Sequence, residues 1–213
     1  MLKRVLMASV ITIAAASAQA QVVLVDENFA TGVPVGWVTT NQSTPGGTTS
    51  WYQGDVDQFV AQAGAADSYV AANYNSAPQG GTINNWLITS SFSTERSGTV
   101  SFWARAAFYD GTADHIAYGL NGSGGSDTAT FMLGSAVTLS TSDWTKYTLN
   151  FTGSGAATTS RFAINYSGPA DLSNYIGIDT LSVTAVPEPS TWLMLGVGMV
   201  GLIALRRRLT ARV

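Results

Sequence analysis

From residue 22 to residue 184 the chain is written in short runs where apolar and polar side chains alternate. Thr145 to Phe151 places Tyr147, Leu149 and Phe151 on one face and Lys146, Thr148 and Asn150 on the other. Thr99 to Arg105 sets Val100, Phe102 and Ala104 against Ser101, Trp103 and Arg105. A period of two marks a strand with one buried face, the usual pattern of antiparallel sheets. The same reading predicts strands over 22–25, 37–40, 69–73, 85–89, 115–120, 161–166 and 175–184. No window of this body sustains a helical period. Turn clusters separate the runs, among them Pro45-Gly46-Gly47, Pro78-Gln79-Gly80-Gly81 and Asn121-Gly122-Ser123-Gly124-Gly125. Nine or more strands at this spacing predict an all-β fold, a two-sheet antiparallel β-sandwich of jelly-roll type.

The two ends break the pattern. Lys3 and Arg4 precede an apolar run, Val5 to Ala16, and Ala18-Gln19-Ala20 supplies a small-x-small cleavage pattern. This predicts a secretory signal peptide over 1–20, with Gln21 the first mature residue. At the other end Pro187-Glu188-Pro189 can continue neither a strand nor a helix. An apolar stretch to Leu205 follows, then Arg206-Arg207-Arg208, whose charge predicts a cytoplasmic side. As a helix, Trp192–Leu205 would span only about 21 Å, against about 30 Å of hydrocarbon core. Three glycines within it weaken it further. A short apolar helix held at the membrane transiently, as a processing signal is, fits better than a permanent anchor. The expected division is 1–20 signal peptide, 21–185 sandwich and 186–213 tail.

The tail, in the order Pro187-Glu188-Pro189, apolar run and arginine cluster, resembles the sorting signal of PEP-CTERM proteins. That resemblance implies a protein exported by a Gram-negative, exopolysaccharide-producing bacterium. It further implies processing by an exosortase at the inner membrane, then delivery to the cell surface or extracellular matrix.

Charge changes the picture of the body. Of ten basic residues only Arg96, Arg105, Lys146 and Arg161 lie outside the two ends, against twelve of the thirteen acids. A body near −8 excludes a phosphate-binding surface, so nucleic acid is not an expected partner. The chain has no cysteine, which removes disulfides, thiol catalysis and thiolate metal sites.

Two carboxylates stand out by phase. Glu27 shares a face with Val23, Val25 and Phe29, and Asp179 shares one with Leu181 and Val183. Ile176 and Ile178 have the opposite phase, which predicts a bulge near Asp179. An inward carboxylate needs a partner, cations are few, and calcium takes six to eight oxygen ligands. Glu27, Asp179 and Asp67 are the candidate ligands; the alternative is that Glu27 and Asp179 are solvated strand ends.

Several segments carry a second resemblance. They are Glu27-Asn28-Phe29, Gly36-Trp37, the run 67–74, Asn85-Trp86-Leu87-Ile88-Thr89, Val100 to Arg105, and Ile176 to Val183. In this order they resemble the choice-of-anchor J group, related to cleaved-adhesin domains and to MAM-like jelly rolls. The resemblance implies a structural calcium joining the first and last strands. Such families often carry two adjacent acids in the late segment, and here Thr180 takes the second place.

No catalytic set emerges. His115 is the only histidine, and there is no G-x-S-x-G or H-E-x-x-H motif. Trp37 and Trp86 read as core. Trp51 and Tyr52, beside a polar loop, are the candidate glycan-contacting pair, because an exposed ring can stack on sugar C–H surfaces. The expected function is a non-enzymatic, calcium-stabilised adhesin-like module associated with exopolysaccharide or biofilm. The alternatives are a secreted glycan-active hydrolase and a structural matrix protein without a ligand.

Overall fold

A computed structural model describes residues 21–186 and the helical residue Gly198. The expected signal peptide over 1–20, the Pro187-Glu188-Pro189 motif and the apolar helix as a whole lie outside the described residues. No helix among the described residues is long and apolar enough to cross a membrane.

Thirteen strands follow in order: β1 Val22–Glu27, β2 Val38–Asn41, β3 Tyr52–Gln53, β4 Val70–Asn73, β5 Thr82–Ile88, β6 Phe92–Ser93, β7 Gly98–Ala106, β8 His115–Asn121, β9 Met132–Leu133, β10 Val137–Thr138, β11 Thr145–Phe151, β12 Thr159–Pro169 and β13 Tyr175–Ala185. All nine predicted strands are present, β11 to the residue. The additional strands β3, β6, β9 and β10 are two residues each, too short to show a period.

One sheet runs β11-β7-β13-β4-β3, with β1 also paired to β13; the other runs β10-β8-β12-β5-β2, with β6 on β12 and β9 on β8. Every strand pairing is antiparallel. The core lies between the sheets. In β7, Val100, Phe102, Ala104 and Ala106 are fully buried, while Thr99, Ser101, Trp103 and Arg105 turn outward and are only partly covered. Phe102 meets Phe162 of the facing sheet at 5.6 Å between ring centroids and Tyr118 at 5.1 Å. Each large side chain sealed here contributes roughly 1.5–3 kcal/mol relative to exposure.

The predicted bulge is present. Asp179 pairs with Trp103 and Ser182 with Ser101, so β13 advances three residues while β7 advances two. Thr180 absorbs the extra residue with φ 46°. The bulge lets Ile176 and Ile178, then Leu181 and Val183, all enter the same core. It also moves Asp179 to the outer face, beside Trp103. The shared face with Leu181 and Val183 that unbroken alternation implies is therefore corrected.

That outer face carries a second small core. The loop between β3 and β4 lays Phe59 over Tyr69, Tyr175 and Trp144, with ring centroids 5.1, 5.4 and 5.3 Å away. Arg105 stacks its guanidinium 4.8 Å from the Phe59 ring. Tyr69 donates its hydroxyl to Asp55 O at 2.6 Å, and Trp144 Nε1 donates to Val60 O at 3.0 Å. Gly177 lies beneath these rings. A Cβ there would stand 2.8 Å from both Phe59 and Tyr69, so only glycine allows the approach.

Candidate functional site

The three predicted metal ligands are placed differently. Glu27, half-buried, ends β1 opposite Leu181, and its Oε1 accepts the Phe29 N–H at 2.8 Å. That bond holds Phe29 in a left-handed conformation, φ 53°, with its ring buried against Trp37 at 5.5 Å. Phe29 O in turn accepts from Gln53 Nε2 at 3.1 Å. The same amide donates to Asp67 O and, at 3.4 Å, to Tyr69 O. The chain thus gathers three backbone carbonyls around Gln53, one of them that of Phe29, two residues after Glu27. Asp67 joins this cluster by its carbonyl, while the residue itself is exposed.

Asp179 is engaged elsewhere. It is completely buried; Oδ2 accepts the N–H groups of Gln62 and Ala63 at 2.7 and 3.1 Å, and Oδ1 accepts the Thr180 hydroxyl at 3.0 Å. Burial raises its pKa, and these hydrogen bonds hold the rise back. Among the described residues, no three His, Cys, Asp or Glu side chains come together as a metal cluster.

The candidate glycan pair divides. Trp51 is 7% exposed and belongs to the central core, with its Nε1–H buried and unpaired. It offers no ring to solvent, which corrects the surface position expected of it. Tyr52, half-buried on β3, packs edge-on against Tyr175 at 6.3 Å, and burial holds its phenol well above the ordinary value. Trp86 is buried, as expected, but in a separate small cluster with Ile88, Phe131 and Ala163, while Trp37 packs partly buried against the central core.

The exposed aromatics lie elsewhere, at the end of the sandwich where β13 begins. Tyr74 is 48% exposed, Phe108 74% and Tyr109 67%, and the aliphatic Leu172 is 53% exposed. They come from three loops far apart in sequence: after β4, between β7 and β8, and between β12 and β13. Backbone bonds tie these loops together, Tyr74 N to Asn174 O and Ala113 N to Leu172 O, both 2.8 Å. Behind them Asp114, almost fully buried, accepts the Tyr166 hydroxyl at 2.5 Å and the Asn174 N–H at 2.9 Å. Burial pushes the Asp114 carboxyl up despite both donors.

Between these loops opens a cleft of about 530 Å³, lined by Tyr74, Gln79, Tyr109, Thr112, Asp171 and Asn174 among others. Both oxygens of Asp171 accept the Gly80 N–H, at 3.0 and 3.1 Å. Gly80 adopts φ 77°, a conformation glycine reaches without strain. Asn174 donates Nδ2 to Ala107 O at 3.2 Å. The cleft therefore presents two phenol rings, a fixed carboxylate and amide groups. The alternation of apolar and polar positions marks no element at 110–114 and gives no sign of this cleft. The missed signal is Phe108-Tyr109, two adjacent aromatics inside a turn, where no core-facing strand position exists for them.

The last strand ends at Ala185, where a sequence match begins. Residues 185–208 match the model of the PEP-CTERM protein-sorting motif. The tail is a PEP-CTERM sorting signal. This marks an exported protein, sorted by way of the membrane, and implies processing by an exosortase. No curated protein matches the chain by sequence. Among solved structures, the K3 cleaved adhesin domain of Lys-gingipain from Porphyromonas gingivalis superposes with TM-score 0.61 at 21% identity, covering 78% of this chain and 100% of that one. The K1 cleaved adhesin domain of the same protein gives 0.59 at 20%, covering 76% and 98%. TmCBM61, solved with β-1,4-galactotriose, gives 0.52 at 13%, covering 75% and 94%. At these identities the likeness is one of fold: an adhesin-like jelly-roll sandwich.

Proposed function

We propose that this PEP-CTERM protein is a non-enzymatic, glycan-binding module of the cell surface or extracellular matrix, associated with exopolysaccharide or biofilm. The observation that carries the reading is the 530 Å³ cleft with Tyr74 and Tyr109 exposed beside Asp171 and Asn174. Sugar rings offer C–H faces to aromatic rings and hydroxyls to polar groups, and this lining supplies both. Tyr74 and Tyr109 take the role first expected of Trp51 and Tyr52. Asp171 is the one carboxylate among the residues lining the cleft, whereas glycoside hydrolysis generally employs a pair. This favours binding over turnover. The fold it shares with adhesin domains and with a module solved bound to a galactotriose supports the same reading.

We further propose a structural calcium near the start of the chain. Glu27 would supply a carboxylate, and Phe29, Asp67 and Tyr69 their carbonyls. These are the hard oxygen donors calcium selects. Gln53 would turn its amide oxygen toward the ion. Asp179 falls outside this set, since its oxygens already serve Gln62, Ala63 and Thr180.

The test is a glycan array probed with the purified full-length chain and its Tyr109→Ala variant. Binding that weakens at least tenfold in the variant supports the cleft; no binding to any glycan removes the reading.

A further inference from the structure

We infer that the cleft selects uncharged glycan and rejects acidic polysaccharide. The inference rests on the reading of the cleft as a glycan site and adds the chemical class of the ligand. Among the described residues, no lysine, arginine or histidine lines the cleft. The four cations of the body, Arg96, Arg105, Lys146 and Arg161, all lie elsewhere. Arg105 is stacked on Phe59, and Arg161 donates to Thr89 O and Gly124 O.

The charge the cleft does hold is negative. A single N–H, that of Gly80, is shared by both Asp171 oxygens. A carboxylate has about four acceptor positions, so Asp171 keeps acceptor capacity for a ligand, and it is already held in place. Asp110, exposed, follows the lining residue Tyr109 in the same turn and is a second negative charge one residue away in sequence. A sugar hydroxyl donates to such a carboxylate in a charge-assisted bond, stronger than a neutral one. A uronate, sulfate or phosphate group brought to the same place meets like charge, with no basic group to offset it. Recognition of acidic polymers depends on Arg or Lys, and the cleft has neither.

The experiment titrates the full-length chain with two matched panels. One holds neutral galacto-, gluco- and xylo-oligosaccharides, and the other holds oligosaccharides of the corresponding uronic acids. Wild type is compared with Tyr109→Ala, Asp171→Asn and Gln79→Lys. Gln79 is exposed, so the lysine adds a cation without touching the core.

The expected result is binding to at least one neutral series, at least tenfold tighter than to its uronate, and insensitive to salt. Gln79→Lys should narrow that gap from the uronate side, and the gained affinity should fall with added salt. Asp171→Asn should narrow it from both sides, provided its melting temperature matches wild type. Uronates binding as tightly as neutral sugars, with the binding lost in Tyr109→Ala, would overturn the charge selection and leave the glycan cleft standing. Failure of both panels, or binding unchanged by Tyr109→Ala, would overturn the cleft itself and the selection with it.

Discussion

Asp179 accepts the backbone N–H of Gln62 at 2.7 Å, and so fastens the long loop between β3 and β4 to the outer face of the sheet. The loop has little regular structure of its own, and its Ala63 N–H goes to the same oxygen. Asp179→Ala should leave the partly buried N–H groups of Gln62 and Ala63 without their acceptor. A cost of about 1–3 kcal/mol for a buried unsatisfied group predicts destabilisation of about 2–3 kcal/mol. Denaturant melts would measure it, and limited proteolysis should show early cutting within 60–66. Equal melting midpoints and cutting patterns would remove the latch role.

The same burial sets a pH dependence. Asp179 and Asp114 both have folded-state pKa values raised above 3.8 by desolvation. For an acid with a raised value the folded state binds the proton more tightly than the unfolded one. The resulting stabilisation is fully present below 3.8 and is lost as pH rises through the folded-state values. These two groups therefore make the domain less stable toward neutral pH, against the usual trend for paired carboxylates. Asp179→Asn should flatten the fall in melting temperature between about pH 4 and pH 7; parallel curves for variant and wild type would count against it.

Trp51 separates core from site. Its ring belongs to the central core, so Trp51→Ala should cost about 3–5 kcal/mol and lower the yield of folded protein. Tyr109→Ala changes an exposed side chain and should stay within about 0.5 kcal/mol of wild type, while glycan affinity falls at least tenfold. Thermal melts and glycan titrations on both variants, read together, decide this. A stable Trp51→Ala that loses binding would return the site to Trp51 and Tyr52.

What was legible in the sequence follows from how local each signal is. β7 and β11 carry unbroken alternation, so their faces could be assigned residue by residue. The bulge was legible because Ile176 and Ile178 fall out of phase with Leu181 and Val183. The side on which Asp179 emerges was not, because the extra residue is Thr180, after Asp179 and not before it. Trp51 read as surface because its neighbours are polar, but β3 lies over the core by pairing with β4, a contact between Tyr52 and Ala71 that no local pattern records. The cleft was invisible for a similar reason. Tyr74, Tyr109 and Asp171 meet only after three separate loops have been tied together by tertiary hydrogen bonds.

Calcium makes a separate prediction. At a free concentration 100 times its dissociation constant, a ligand bound only by the folded state adds about 2.7 kcal/mol. Melts in calcium and in chelator should differ accordingly. Glu27→Gln should abolish most of the difference, whereas Asp179→Asn should leave it intact. Loss of the response in Asp179→Asn alone would transfer the site to the bulge.

The last prediction concerns order of events. Val22 pairs with Ala185, so the body's first and last strands begin and end side by side. The cleft is built on loops at the Tyr175 end of β13. Eleven residues at about 3.3 Å each make that strand about 36 Å long. The cleft thus lies a full strand length from both junctions of the body, and ligand binding should be independent of tail processing. Tyr109→Ala should be processed like wild type, as read by mass spectrometry of the C-terminus of the exported protein. Glu188→Ala, altered in the sorting motif, should retain an unprocessed tail and still bind glycan with wild-type affinity. Binding that appears only after the tail is removed would show the two ends of the sandwich to be coupled.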